Sequence, residues 1–252
     1  MRYHAWRMRS SPRVHPWRGP RAWSGTLALG LACARSPAPA PPADTCKTGS
    51  LQSPIDLHAV ARRGEATLKF DYHPDTLRIV NNGHTVEVEH AAGSTLTTGE
   101  QSYQLVQYHV HSPSEHLIEG KRYPLEIHFV HKNADGLLAV VGVLVEEGQE
   151  LGAEAEAVAA VWEHLPATKG GHAELDVEVD PIDLMPARHD YFFYSGSLTT
   201  PPCTERVRWH VLATPLPMSA AHIASFKAIY SDNARPLQRP DWCPLTHTGV
   251  AS

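Results

Sequence analysis

Tyr103–His111 (YQLVQYHVH) and Leu125–His131 (LEIHFVH) are two runs of β-forming residues that place metal-binding side chains at strand spacing. Side chains two apart on a strand point to the same face. His109 and His111 therefore share a face, and so do Glu126 and His128. Residues 111 to 124 leave room for a hairpin return between the runs. If the two strands pair, three imidazoles converge on one point. Three nitrogen ligands with one open position is the arrangement of catalytic zinc, whereas a structural site closes with four protein ligands. A lone His-x-His is ordinary in strands, so the third imidazole carries the argument. His116, His131, His164 and His210 read as ordinary core or surface histidines.

Strand character also marks Ala66–Tyr72, Leu77–Val80, Thr85–His90, Leu137–Glu146, Ala173–Val179, Tyr191–Ser195 and Val207–Leu212. Two segments read as helices. Glu150–His164 carries an apolar stripe at Leu151, Ala155, Val158 and Trp162. Ser219–Tyr230 opens on a serine cap, with Ile223, Phe226, Ile229 and Tyr230 on one side. Many strands and few helices predict a mainly β protein (α+β) built around a large, mostly antiparallel twisted central sheet. The 252 residues, 42% of them hydrophobic, suit one domain with a sizeable core. No internal repeat is visible.

Charge is unevenly distributed. Of the 22 basic residues, seven arginines lie within 1–43, which holds no acidic residue; the other 15 face all 27 acidic residues in the body. An acidic body gives no support to a nucleic-acid partner. No apolar run approaches the ~20 residues of a membrane span, so stable membrane insertion is not expected. Residues 1–34 read as a signal peptide: arginines, a mostly apolar stretch from Ala22 to Ala34, and a small-x-small site at Ala32-Cys33-Ala34. Counted from Met8, the signal is 27 residues, within the usual range of ~15–30. The expected location is periplasmic or secreted, with a lipoprotein anchor on Cys33 as the alternative. Residues 35–43 form a Pro/Ala-rich linker, and the folded domain is expected over 44–252. The cysteines at 33, 46, 203 and 243 match no zinc motif, and in an exported protein one disulfide is expected.

Six blocks carry a resemblance to a known family: QSPIDL (52–57), NNGH (81–84), QYHVHSPSEH (107–116), LEIHFVH (125–131), GSLTTPPC (196–203) and NARPLQ (233–238). In order and spacing they resemble the α-class carbonic anhydrases, notably the exported bacterial type. The resemblance implies a zinc enzyme that reversibly hydrates carbon dioxide to bicarbonate and a proton, with these small molecules as its partners. His109, His111 and His128 would bind Zn²⁺, oriented by Gln107, Glu126 and the Asn233 carbonyl respectively. Zinc would lower the pKa of a bound water so that hydroxide attacks the substrate carbon; carbonic anhydrase is itself the reference case for this effect. Thr199 and Glu115 would orient that hydroxide. His84 would shuttle the released proton, as an imidazole titrating near neutral pH can. Val130, Val140, Leu198, Thr200, Val207 and Trp209 would line the substrate pocket. Cys46 and Cys203 would form the disulfide and leave Cys243 unpaired. A member that binds without turnover would be expected to lack part of this set, and here it is complete.

Both ends depart from the family pattern. The usual Trp-x-Tyr and Gly-Pro-x-x-Trp opening has its only echo at Gly19–Trp23, inside the expected signal. After Gln238, residues 239–252 do not match the family's closing segment and last strand.

Overall fold

Among the described residues, fifteen strands and two α-helices follow in order: β1 (Asp56–Leu57), β2 (Leu68–Asp71), β3 (Asp75–Asn81), β4 (Val86–Glu89), β5 (Thr95–Thr98), β6 (Gln101–His111), β7 (Leu117–Ile118), β8 (Lys121–Arg122), β9 (Leu125–Lys132), β10 (Leu138–Glu147), α1 (Gly152–Trp162), β11 (His172–Val179), β12 (Tyr191–Ser197), β13 (Glu205–Leu212), β14 (Leu216–Met218), α2 (Ala220–Ile229) and β15 (Thr246–Thr248). A 3₁₀ turn, Pro181–Leu184, lies between β11 and β12. The computed structural model describes residues 45–58 and 66–238, together with the backbone of 246–248. The expected signal and linker, Gly19–Trp23, Cys33 and Cys243 lie outside the described residues.

Among the described residues, twelve strands form one sheet, whose main path runs β11-β3-β4-β6-β9-β10-β13-β12-β15. Most pairs are antiparallel. The exceptions in this sheet are β10 with β13 and β10 with β14, which run parallel. The sheet is thus mostly antiparallel, as expected, with parallel pairing at its centre. Strands β7 and β8, within the return from β6 to β9, form a small second sheet with β1. The helices pack on one face of the main sheet, over a core that includes Tyr108, Val110, Phe129, Val141, Val158 and Phe226. A second cluster fills the other face around Val140, Val207, Trp209 and Tyr194. Each fully buried aliphatic or aromatic side chain contributes roughly 1.5–3 kcal/mol. No described helix is long and apolar enough to cross a membrane.

The sequence reading differs from the structure in three places. Leu151 lies at the N-cap of α1 and is exposed; the buried face is Ala157, Val158, Val161 and Trp162. Val158 and Trp162 of the expected stripe are buried, whereas Leu151 and Ala155 are not. Short strands such as β1, β7 and β8 carry too few residues to show alternation. The atypical tail still supplies a strand, β15, on the outer edge of β12. Ser219 caps α2 as expected, its hydroxyl accepting the His222 N–H at 3.3 Å.

Candidate metal centre and its cavity

Antiparallel pairing of β6 with β9 sets His109 directly opposite His128, and His111 opposite Glu126. The imidazole centroids lie 5.0 Å (His109–His111), 5.2 Å (His109–His128) and 4.6 Å (His111–His128) apart. One ring nitrogen from each lies within 4.8 Å of the others. On each ring the other nitrogen lies beside an acceptor. His109 Nδ1 is 2.8 Å from Gln107 Oε1, His111 Nδ1 is 3.3 Å from the Asn233 carbonyl, and His128 Nε2 is 2.9 Å from Glu126 Oε1. All three orienting partners fall where the resemblance placed them. His111 Nε2 is buried with no hydrogen-bond partner among the described residues. A buried lone pair of this kind, beside two others, fits a borderline-soft divalent cation such as zinc.

Electrostatics prepare the ligands differently. Burial and the neighbouring imidazoles push His109 well below the usual histidine range, and burial lowers His111 too. Both are thereby held neutral. Burial also opposes charge on His128, but Glu126 and Glu115 outweigh it and raise its pKa. Burial likewise opposes ionisation of Glu126, yet His116 and His128 hold it well below the carboxylate range.

A second cluster, His116, Glu126 and His128, also brings ligand atoms together. Its polar atoms are already spent. Glu126 Oε2 accepts the His116 N–H at 2.8 Å, Glu126 Oε1 lies 2.8 Å from His116 Nδ1, and His116 Nε2 is 2.6 Å from the Tyr194 hydroxyl. His116 thus ranks above the ordinary histidine expected of it: it braces the carboxylate that orients His128. Only the sheet register reveals this role.

His84, His111, Glu115, Thr199 and Thr200 line a cavity of about 420 Å³. Gly83 has φ +90°, a backbone region that suits glycine. Asn82 Oδ1 accepts the His84 and Thr85 N–H groups, and Asn233 Nδ2 donates to the His84 carbonyl. The turn is pinned, while the His84 residue itself is exposed at the rim. Glu115 Oε1 accepts the Arg235 N–H at 2.7 Å; its Oε2 is buried without a hydrogen-bond partner among the described residues. Arg235 also donates to Gln52 Oε1 and to the carbonyls of Ser53 and Cys46. Arg235 lies in the NARPLQ block, where nothing in the sequence alone points to this contact.

The residues expected to line a substrate pocket form an apolar cluster from adjacent strands in register; the 420 Å³ cavity is lined instead by the polar rim residues and Pro201, Tyr230 and Ala234. Val130 faces Val140 across β9–β10, and Val140 faces Trp209 across β10–β13. Val207 joins them, with Leu198 packed alongside. The Trp209 and His128 ring centroids lie 4.8 Å apart. Trp209 Nε1 donates to the Ser197 carbonyl at 2.9 Å and so ties this cluster to the Thr199 loop.

Cys46 and Cys203 form a disulfide across 157 residues. Thr45 reinforces it, its hydroxyl donating toward the carbonyls of Pro202 and Cys203. By loop-closure entropy such a bond contributes up to ~5 kcal/mol, measured values often being lower.

Fold and site together define a β-sheet protein with a candidate three-imidazole metal centre, one of whose imidazoles, His111, lines the adjoining cavity. The family model for eukaryotic-type carbonic anhydrase matches residues 40–240. A carbonic anhydrase of Nostoc sp. is 40% identical over 199 residues, covering 77% of this chain and 74% of the relative. The Photobacterium profundum α-carbonic anhydrase structure superposes with a TM-score of 0.73 at 39% identity, covering 80% of this chain and 91% of that one. The α-carbonic anhydrase of Thermovibrio ammonificans, solved with the inhibitor sulfanilamide, gives a TM-score of 0.75 at 38% identity, over 80% and 89%. The chain belongs to the eukaryotic-type, or α, carbonic anhydrase family, a family of zinc lyases.

Proposed function

We propose that this chain reversibly hydrates carbon dioxide to bicarbonate and a proton, at zinc held by His109, His111 and His128. The observation that carries the reading is the convergence of three imidazoles whose outer nitrogens each lie beside an acceptor. When bound there, zinc makes hydroxide available near neutral pH to attack the substrate carbon.

The remaining work falls to the chain's own residues. Glu115 is a carboxylate that only accepts hydrogen bonds, and Arg235 already occupies its Oε1. Its Oε2 is left to accept the Thr199 hydroxyl hydrogen. The Thr199 oxygen must then accept from the nucleophile, which turns the nucleophile's lone pair toward the substrate. The Thr199 N–H stabilises developing oxygen charge. Val130, Val140, Leu198, Val207 and Trp209, beside Thr200, offer a nonpolar substrate a dry surface. His84 takes up the released proton at the rim and passes it to solvent.

Export to the periplasm or medium accompanies this reading, supported by the disulfide and by the bacterial relatives. Stopped-flow hydration assays on the purified chain, titrated with sulfanilamide, test the function. The expected result is turnover that sulfanilamide abolishes. A chain that loads zinc but does not hydrate carbon dioxide is a binding protein instead.

A further inference from the structure

Gly142 occupies the middle of β10, where its neighbours on the same sheet face carry side chains. The row across the sheet reads His109, His128, Gly142, Val211 and Phe192, each opposite the next. Glycine in a strand interior weakens the strand, so it marks a close approach or a bulge. Gly142 is not among the glycines of positive φ, and its pairing with both neighbours is regular. The backbone alone does not call for glycine here.

The close approach is visible. A β-carbon at position 142 would lie 2.9 Å from Glu126 Oε1, and 3.4 and 3.6 Å from the Val211 methyls. The valine contacts are ordinary or mildly tight; the carboxylate contact is too short to stand. Glu126 cannot easily yield, since it is fully buried and its oxygens are held by the His116 N–H, His116 Nδ1 and His128 Nε2.

We propose that Gly142 is a positioning residue for the metal centre: its missing side chain is the slot through which Glu126 reaches His128. Glu126 fixes the His128 ring with Nε2–H outward and Nδ1 toward the metal. A methyl group in the slot displaces the carboxylate and leaves that ligand poorly oriented. The inference rests on the reading of His128 as a zinc ligand.

The test measures zinc release from the full chain into excess chelator, with far-UV circular dichroism to check folding. Gly142→Ala is expected to release zinc about 10–100-fold faster, the usual effect of disturbing a ligand's hydrogen-bond partner. Glu126→Ala is expected to do the same. Adding Gly142→Ala to Glu126→Ala changes nothing further, because the colliding carboxylate is gone. Adding Val211→Ala to Gly142→Ala restores nothing. Should Gly142→Ala fail to fold, the Glu126→Ala/Gly142→Ala double variant folds.

Unaltered release in Gly142→Ala, an equal acceleration in both backgrounds, rescue by Val211→Ala, or a double variant as unfolded as the single overturns the proposal. A wild-type chain without zinc, or Glu126→Ala releasing zinc at the wild-type rate, overturns the ligand reading itself.

Discussion

His109 and His128 are cross-strand partners in the β6–β9 ladder, with ring centroids 5.2 Å apart. The metal centre is therefore carried by backbone pairing between two strands that are buried on the helical side by Tyr108, Val110 and Phe129. Those contacts are apolar and do not pass through the imidazoles. Chelator-stripped protein should keep its far-UV circular dichroism spectrum and lose only the part of its thermal stability that ligand binding adds. Loss of sheet signal on stripping would show that the metal organises the fold.

In the proposed mechanism the Thr199 and Glu115 pair acts on the attack step. Thr199→Ala and Glu115→Gln should each lower kcat/KM for carbon dioxide, by roughly 10²-fold if one oriented hydrogen bond is lost. Zinc content should stay at the wild-type level. The double variant should be little worse than either single, since the two residues form one chain. Fully additive losses would separate their roles.

In the proposed mechanism His84 acts after bicarbonate has formed. His84→Ala should lower kcat in weak buffer and leave kcat/KM nearly unchanged. Added imidazole should restore much of the loss, because the task needs only a mobile base near pH 7. If kcat is unchanged, His84 merely completes the turn that Asn82 and Gly83 build.

Acid stability is set on the other face of the sheet. Burial pushes His131 and His210 each down to about 3, with the charge of Arg208 adding to the effect at His210. In the unfolded chain both titrate near 6.5. Between pH 6.5 and 3 the unfolded state therefore holds protons that the folded state refuses. Stability is fully present above pH 6.5 and falls as pH drops, by about 1.4 kcal/mol per pH unit per histidine. Urea midpoints at pH 7.5 and pH 5 read this slope, and His131→Gln should flatten it. Equal midpoints at the two pH values would contradict the assignment.

The strand pattern and the ligand triplet were legible because both depend on alternation, which sequence displays directly. His109, His111 and Glu126–His128 could be placed on one face without coordinates. Their orienting partners Gln107, Glu126 and Asn233 came from the family resemblance, and the structure sets each beside its ligand. What stayed hidden depends on how loops and neighbouring strands meet in the fold. His116 bracing Glu126, Arg235 holding Glu115 and Gly142 clearing space for a carboxylate all join residues whose sequence separation says nothing of contact. The parallel pairing at β10 was equally invisible, because alternation reads the same for either strand direction.

Zinc stoichiometry and carbon dioxide hydration, measured together on the wild-type chain and on His128→Ala, test the central claim most directly. One zinc per wild-type chain is expected, with activity that disappears on stripping and returns on adding zinc. His128→Ala should lose both metal and activity. Full zinc occupancy in His128→Ala, or undiminished hydration by stripped protein, would contradict the three-imidazole centre as the seat of the reaction.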